Sequence, residues 1–405
     1  MSDLSGRLDI ALRRDGDWLA VSIRSSRPVT AAQVFAGKPV LAVARQLPSL
    51  FSLCATAQAQ ACASACEQAL GLTASAAIVQ RRASLLRAET VKEHLWRLLL
   101  DWPQALGAAP AQAPMATAMR AYLGLRGVLT GDADPFAPGA DLSQVAVGSA
   151  SDQAQQHLQV LTQVAAKHVF GRSPARWLRE VRDRDAFAAW TAAAGTVAAS
   201  LVERIARDDL ADLGCNPGRN LGRNAVEPLP ASAMPDLAAA LSGADADGFV
   251  AVPSWQGRPC ETTPFARCRD RALIVDLVAQ YGNGLLPRLA ALLLELADAL
   301  VALDDPPELT PRPAPVAGAG AGIGFGTADA ARGLLVHRVE VVEGRVTRYH
   351  ILAPTEWNFH PAGVVVSGLA SSDLGRLSDD AELQRRVALY VTAVDPCVAY
   401  ALSVC

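Results

Sequence analysis

The stretch ARGLLVHRVEVVEGRVTRYHILAPTEWNFHPAG, residues 331–363, carries the strongest structural signal in the chain. Within it, Leu334–Val342 and Val346–Leu352 alternate apolar and polar residues on either side of Glu343-Gly344. That pattern predicts a β-hairpin with a two-residue turn. The hairpin leads into PTEWN (354–358), and the chain closes with VDPCVAYALSVC (394–405). Polar groups with specific contact requirements are therefore concentrated near the carboxy terminus.

The bulk composition predicts a globular protein with a large core. The chain has 405 residues, of which 51% are hydrophobic and 19% charged, and its formal net charge is −3. Such a charge gives no basic field for nucleic acid. The most apolar segment, 285–303, is interrupted by Arg288, Glu295 and Asp298, which favours a buried amphipathic helix over a membrane span.

The eight cysteines are thinly spread, and no two of them form a Cys-x-x-Cys pair. A disulfide framework, a self-contained zinc knuckle and a redox dithiol are therefore disfavoured. The first residues, MSDLSGRLDI, carry charges and lack the apolar segment of an export signal. Together these features lead us to expect a protein of the reducing cytoplasm.

Further segments predict local structure upstream of the carboxy terminus. Leu8–Ile10 and Trp18–Ile23 flank Asp15-Gly16 and predict a second β-hairpin. The alanine-rich segment 55–71 predicts a long helix that begins just after Cys54 and closes at Gly71. Residues 304–324 are rich first in proline and then in glycine, which is typical of a linker.

The order of short motifs along the chain resembles the [NiFe] hydrogenase large subunit. Arg332-Gly333, the hairpin, PTEWN and Asp395-Pro396-Cys397 correspond to the carboxy-terminal part of that subunit. WQGRPCETTPFAR (255–267) corresponds to a segment further upstream, and Cys54 to the first cysteine of an amino-terminal pair. The resemblance implies an α+β, mainly helical fold with β-hairpins near both termini. It also implies a single domain over residues 1–405 that contains the 304–324 linker.

The resemblance comes with a specific chemical deletion. In the large subunit, two pairs of cysteine thiolates hold nickel and an iron that carries cyanide and carbonyl; thiolates are soft ligands that suit both metals. This chain keeps Cys54 and Cys397, the first cysteine of each pair. Ala57 and Tyr400 stand at the second positions, and Ser403 replaces a histidine. Two thiolates cannot reproduce a four-thiolate bimetallic site, so we expect no hydrogenase catalysis and no enzyme activity.

The same pattern is similar to the hydrogenase expression/formation proteins of the HupK/HoxV type, paralogues of the large subunit. This resemblance implies a non-catalytic assembly scaffold that transiently holds the Fe(CN)2(CO) unit, without nickel. Cys54 and Cys397 would be the metal ligands. Arg332 would orient cyanide, since a guanidinium donates charge-assisted hydrogen bonds to an anionic nitrogen. Thr355 and Asn358 would belong to the wall of this pocket.

The resemblance also implies partners. The expected ones are the small hydrogenase maturation chaperone with its iron–sulfur partner, and the large-subunit precursor that receives the iron unit. No nucleic acid and no membrane span are expected. An alternative is a metal-free interaction protein that mimics the large subunit in order to bind maturation chaperones.

Several other side chains have a structural and a functional interpretation. Cys62 and Cys66 lie four residues apart on one helix face, where two small buried residues are favoured over a metal pair. For His94 and His360, hydrogen-bonded structural roles are favoured over metal ligation. Cys405 is interpreted as an unligated terminal thiol rather than a third, mobile ligand.

Glu261 and Arg267 lie six residues apart in the upstream segment that resembles the large subunit. We interpret them as an ion pair or a helix cap, with a structural role.

Overall fold

The structure, a computed structural model, describes residues 6–131, 134–140, 148–215, 226–307 and 322–405. Within these ranges it is mainly helical. The helices are α1 Val40–Leu50, α2 Ala55–Leu70, α3 Ala76–Trp96, α4 Trp102–Ala105, α5 Gln112–Thr130, α6 Gly148–Ala165, α7 Pro174–Glu180, α8 Arg184–Ala194, α9 Val197–Arg207, α10 Met234–Ser242, α11 Ala246–Ala251, α12 Pro264–Arg267, α13 Ala272–Tyr281, α14 Leu285–Asp304, α15 Pro354–Asn358, α16 Val364–Ser371 and α17 Asp380–Val394.

Eight strands form three small sheets in this part of the chain. The strands are β1 Arg7–Asp15, β2 Trp18–Ser25, β3 Glu227–Pro228, β4 Cys260–Glu261, β5 Ile323–Ala330, β6 Gly333–Val342, β7 Arg345–Leu352 and β8 Ala399–Val404. The sheet orders are β2-β1-β8, β3-β4 and β5-β6-β7. The predicted α+β, mainly helical fold with hairpins near both ends is therefore confirmed.

The carboxy-terminal hairpin is β6–β7, with the predicted turn at Glu343-Gly344. These two residues have φ of 49° and 73°, as a tight two-residue hairpin turn requires. The strand β5 adds antiparallel to β6, so the hairpin becomes the outer part of a three-stranded sheet. The end of β7 at Leu352 then places α15, which contains PTEWN, directly beside this sheet.

The amino-terminal hairpin is β1–β2, which pairs from Leu8 with Ser25 to Asp15 with Trp18. The last strand, β8, runs parallel to β1 on its other edge. This closing strand brings the two ends of the chain together, and it holds the segment that follows Asp395-Pro396-Cys397 in a fixed register.

Helix α2 lies against the sheet through two glycines. It begins at Ala55 and is closed by Gly71 in the left-handed conformation, as predicted. A Cβ atom on Gly324 or Gly326 would come within 1.9 Å or 2.0 Å of a carbonyl oxygen of α2. Strand β5 can therefore approach α2 at backbone distance only because these positions lack a side chain. Of the predicted linker 304–324, residues 308–321 lie outside the described residues, and Ile323 and Gly324 already belong to β5.

The largest core surrounds α14, the predicted buried apolar helix. Two of its charged residues, Arg288 and Glu295, are paired inside the protein. Arg288 donates to Glu261 at 2.6 Å, and Arg267 donates to Glu295 at 2.7 Å. The predicted Glu261–Arg267 pair is therefore wrong, because α14 offers each of them a closer partner of opposite charge.

No single described helix is long and apolar enough to cross a membrane. Two bent pairs meet that length and composition test only when they are joined across bends of 99° and 115°. They are Val40–Leu50 with Ser52–Leu70, and Arg184–Ala194 with Val197–Arg207.

Candidate metal-binding site

Cys54 ends the short turn Ser52–Cys54 and immediately precedes α2. The first turn of α2 is held by a carboxylate from α3: Glu89 accepts hydrogen bonds from the backbone N–H groups of Thr56 at 2.8 Å and Ala57 at 3.1 Å. A carboxylate at this position satisfies donors that a helix start otherwise leaves unpaired. The side chain of Gln58 contacts the sulfur of Cys54 at 3.7 Å. Glu89 thereby fixes the position of Cys54 relative to α3.

Cys397 follows the end of α17, where Asp395 takes a left-handed conformation with φ of 61°. Its backbone N–H donates to Thr355 Oγ1 at 3.3 Å, and the same hydroxyl lies 2.8 Å from its sulfur. The sulfur also accepts a hydrogen bond from Arg27 Nη1 at 3.1 Å. Cys397 therefore joins three distant parts of the chain: the start of α15, the end of α17 and the loop after β2.

Arg332 sits in the turn between β5 and β6 and is almost fully buried. Its Nε donates to Asp395 at 3.2 Å and its Nη2 to Glu93 at 2.9 Å. The next residue, Gly333, has φ of 141°, and a Cβ there would come within 2.3 Å of Thr262 Oγ1. The turn that presents Arg332 therefore requires glycine at the following position.

Asn358 stabilises this turn from behind. Its side-chain oxygen accepts from the Thr262 N–H at 2.9 Å, and its side-chain nitrogen donates to the carbonyl oxygen of Arg332 at 2.9 Å. Both ends of the amide are thus bonded to protein groups, while Thr355 reaches a sulfur directly. The two residues predicted to form the pocket wall therefore sit in different layers of it.

Cys54 and Cys397, 343 positions apart in the sequence (397 − 54), lie close enough to interact electrostatically. Burial raises the pKa of Cys54 to about 12, and the neighbouring Cys397 and Glu89 add to this effect. Arg27 and Arg332 each interact with both sulfurs. Burial alone would lower the pKa of either arginine, but neighbouring carboxylates and the two cysteines outweigh it and raise the pKa above its usual range.

The structure therefore brings together Cys54, Cys397, Arg332 and Thr355, with Asn358 behind them. Both cysteine residues are partly buried. Sequence reasoning missed the groups that position them, namely Arg27, Glu89, Glu93 and the carboxylate of Asp395. Arg27 follows a strand end and Glu89 lies in the middle of a helix, so no spacing in the sequence connects either residue with a cysteine.

The positions of the missing cysteines contribute no sulfur. Ala57 is buried in the first turn of α2, and Tyr400, on β8, pairs with Leu8 of β1. Among the described residues, no group of three or more His, Cys, Asp or Glu side chains could hold a metal ion. The site consequently offers two thiols flanked by two guanidinium groups.

Other candidate ligands lie elsewhere or are occupied. His360 Nδ1 accepts from the Ala362 N–H at 2.9 Å, and His94 Nε2 lies 2.6 Å from Glu295, so both have the expected structural partners. Cys405 is exposed, and its N–H bonds Leu12 beyond the far end of β8. The six residues of β8 span about 20 Å, which separates Cys405 from Cys397.

Cys62 and Cys66 form a separate buried group. Their sulfurs lie 4.0 Å apart, and His337 Nδ1 lies 2.9 Å from the Tyr349 hydroxyl next to them. Hydrogen bonding from Cys66, His337 and Tyr349 lowers the pKa of Cys62 to about 5, although burial opposes the change. His337 and Tyr349 belong to the sheet β5-β6-β7, which is distant in sequence from the two cysteines. The sequence around Cys62 and Cys66 therefore could not predict these neighbours.

Comparisons with known proteins identify relatives of this chain. The chain is 29% identical, over 99% of both chains, to the hydrogenase expression/formation protein HupK of Azotobacter vinelandii. It is 30% identical to the hydrogenase expression/formation protein HoxV of Cupriavidus necator, over 93% of this chain and 91% of that protein. The chain belongs to the hydrogenase expression/formation proteins.

The pattern that describes nickel-dependent hydrogenases matches residues 302–403 of this hydrogenase expression/formation protein. Among solved structures, a chain of the Ni-Fe-Se hydrogenase from D. vulgaris Hildenborough superposes with a TM-score of 0.54. The superposition covers 95% of this chain and 94% of that one at 16% identity. This hydrogenase expression/formation protein therefore has the hydrogenase large-subunit fold, as the resemblance implied.

Proposed function

We propose that the protein is a non-catalytic assembly scaffold in [NiFe] hydrogenase maturation. It transiently holds the Fe(CN)2(CO) unit and passes it to the large-subunit precursor. The observation that carries this proposal is the approach of Cys54 and Cys397 beside Arg332 and Thr355. A function in hydrogenase formation is also what the names of the related proteins state.

The donor set fits such a cargo. Two thiolates are soft anionic ligands for iron, and cyanide nitrogen accepts hydrogen bonds from guanidinium and hydroxyl groups. The bonds of Arg332 to Asp395 and Glu93 use Nε and Nη2, so Nη1 is the donor that we assign to cyanide. Thr355 Oγ1 lies 2.8 Å from the Cys397 sulfur and is placed to contact a ligand bound there.

Two ligands suit a carrier better than four would. Each metal–sulfur bond adds to the barrier for release, so a site with half of the thiolates holds the unit while still allowing transfer. Cys54 and Cys397 are only partly buried, so the bound unit would remain accessible to a partner. We propose that the small maturation chaperone and its iron–sulfur partner deliver the unit, and that this takes place in the cytoplasm without nickel.

Iron loading tests the ligand assignment. Replacing Cys54 or Cys397 by alanine should abolish stoichiometric iron in protein purified anaerobically from cells that contain the maturation machinery. Cys405→Ala is the matched control, because Cys405 is an exposed thiol away from the site, and it should load normally. Full iron content in the Cys54→Ala/Cys397→Ala double variant would rule out the proposed site.

One observation favours a second candidate, a metal-free interaction protein that binds maturation chaperones by mimicking the large subunit. Both sulfurs already have hydrogen-bond partners, and three carboxylates pair with the two arginines. Both thiols and both guanidinium groups thus have partners without iron. A stoichiometric chaperone complex that contains no iron, and that forms equally well with both cysteines replaced, would favour this function.

A further inference from the structure

Arg27 is the strongest unassigned feature next to the proposed site. It lies in the loop after β2, and no motif in the sequence analysis included it. Its side chain is mostly buried and is fixed at two points. Nη1 donates to the Cys397 sulfur at 3.1 Å, and Nε forms an ion pair with Glu356 at 3.1 Å. A buried guanidinium fixed in this way has a defined orientation.

Neither of these contacts uses Nη2. A guanidinium carries five N–H donors in a planar fork, so two N–H groups of Nη2 project next to the one that reaches sulfur. Only Oε1 of Glu356 takes part in the ion pair with Arg27, because its Oε2 has no hydrogen-bond partner. Glu356 therefore positions the guanidinium of Arg27 and leaves the N–H groups of Nη2 available to a ligand.

The position of Arg27 parallels that of Arg332. Each guanidinium is fixed by carboxylates, Arg27 by Glu356 and Arg332 by Glu93 and Asp395. Arg27 donates directly to the Cys397 sulfur, and both guanidinium groups lie near enough to Cys54 and Cys397 to interact with them electrostatically. Two thiols are thus accompanied by two separately anchored cations, and the proposed cargo carries two anionic cyanide ligands.

We propose that Arg27 is a second ligand-orienting residue, which donates to one cyanide of the iron unit while Arg332 donates to the other. Glu356 acts as its positioning residue. This inference rests on the proposed function, and it adds that the site discriminates in favour of a cargo with two anionic ligands. Arg27 and Glu356 also line a small cleft together with Pro28, Phe51 and Ile351.

The first test uses the iron-free protein, so that it does not depend on loading. In a Cys405→Ser background, alkylation of Cys397 is followed by peptide mass spectrometry with anionic iodoacetate and with neutral iodoacetamide. Both reagents react with the thiolate, so the ratio of the iodoacetate rate to the iodoacetamide rate does not depend on the thiolate fraction. The ratio therefore reports the charge around the Cys397 sulfur. Arg27→Gln should lower the ratio about fivefold, because it removes a cation adjacent to the sulfur. Arg27→Lys should retain most of it.

Arg24→Gln is the matched control, since Arg24 is an exposed arginine on β2 in the same hairpin. It should leave the ratio unchanged. Equal ratios for Arg27→Gln and Arg24→Gln would overturn the inference, whatever the protein carries in cells.

The second test compares infrared spectra of the loaded proteins. Arg27→Gln should shift a cyanide stretching band while iron is retained, and Arg24→Gln should not. If the cyanide bands of Arg27→Gln coincide with those of the unmodified protein, the proposed role of Arg27 is wrong, but the scaffold function is not contradicted. Absence of bands in the unmodified protein would instead contradict the scaffold function. In that case Arg27 has no cyanide to orient, and the inference falls together with the function on which it rests.

Discussion

At the scale of residues, the sequence predicted the residues that short motifs identify but not the groups that position them. Cys54, Cys397, Arg332 and Thr355 were predicted because short motifs identify them, and the fold brings them together. Arg27 was missed, because its loop has no periodicity and its contact with Cys397 spans 370 positions. The predicted Glu261–Arg267 pair was wrong for the same reason. The two residues are close in sequence, but each pairs with a residue of α14 that is distant in sequence.

Thr355 offers a residue-scale prediction. Its hydroxyl accepts the Cys397 N–H and contacts the Cys397 sulfur. Thr355→Val keeps the shape but leaves the N–H without its acceptor, which should lower the free energy of unfolding by about 1–2 kcal/mol. Thr355→Ser keeps the hydroxyl and should stay closer to the unmodified protein. Chemical denaturation measures both, and equal stability of the two variants would show that this hydrogen bond contributes nothing.

At the scale of elements, the hairpins and α2 followed from turn chemistry and composition. The turn at Glu343-Gly344 and the closing Gly71 need positive φ, and both were predicted from residue type. The parallel pairing of β8 with β1 was not predicted, because its partner lies at the opposite end of the chain. The approach of β5 to α2 could not be predicted either. In the sequence, Gly324 and Gly326 look like part of a linker or of an ordinary strand, and neither pattern indicates a contact with α2.

That approach gives an element-scale prediction. In Gly326→Ala, the new Cβ would lie 2.0 Å from the Ala61 carbonyl oxygen, so β5 must move away from α2. We expect a loss of about 2–3 kcal/mol in the free energy of unfolding. Gly127→Ala is the control: Gly127 is exposed in α5 and has open space around it, so the change should stabilise the helix by about 0.5–1 kcal/mol. A similar effect for both glycines would argue against the close contact.

At the scale of the whole molecule, buried charges join elements that are remote in sequence. Glu295 on α14 accepts from Arg267 on α12 and lies 2.6 Å from His94 on α3. Burial alone would raise the pKa of Glu295, but Arg267 and His94 outweigh it and lower the pKa to about 2. The single-domain organisation expected from the resemblance remains a prediction, whereas this network explains how α3, α12 and α14 are held in register.

The network predicts how stability depends on pH. Unfolded Glu295 titrates near 4.5 and folded Glu295 near 2, so between these values the unfolded state binds more protons. Stability from this group is therefore complete above about pH 4.5 and is lost as the pH falls towards 2. Glu295→Gln should be less stable at neutral pH and should lose less stability on acidification. Glu343→Gln, in an exposed turn, should follow the unmodified protein; identical acid profiles for all three would contradict the assignment.

Infrared spectroscopy shows whether the protein carries the iron unit on Cys54 and Cys397. The protein would be purified anaerobically from cells that contain the maturation machinery, alongside the Cys54→Ala/Cys397→Ala variant. We expect cyanide and carbonyl stretching bands in the unmodified protein and their loss in the variant, with the maturation chaperone still bound to both. Bands that persist in the variant, or a chaperone complex of the unmodified protein without any bands, would contradict an iron-carrying scaffold.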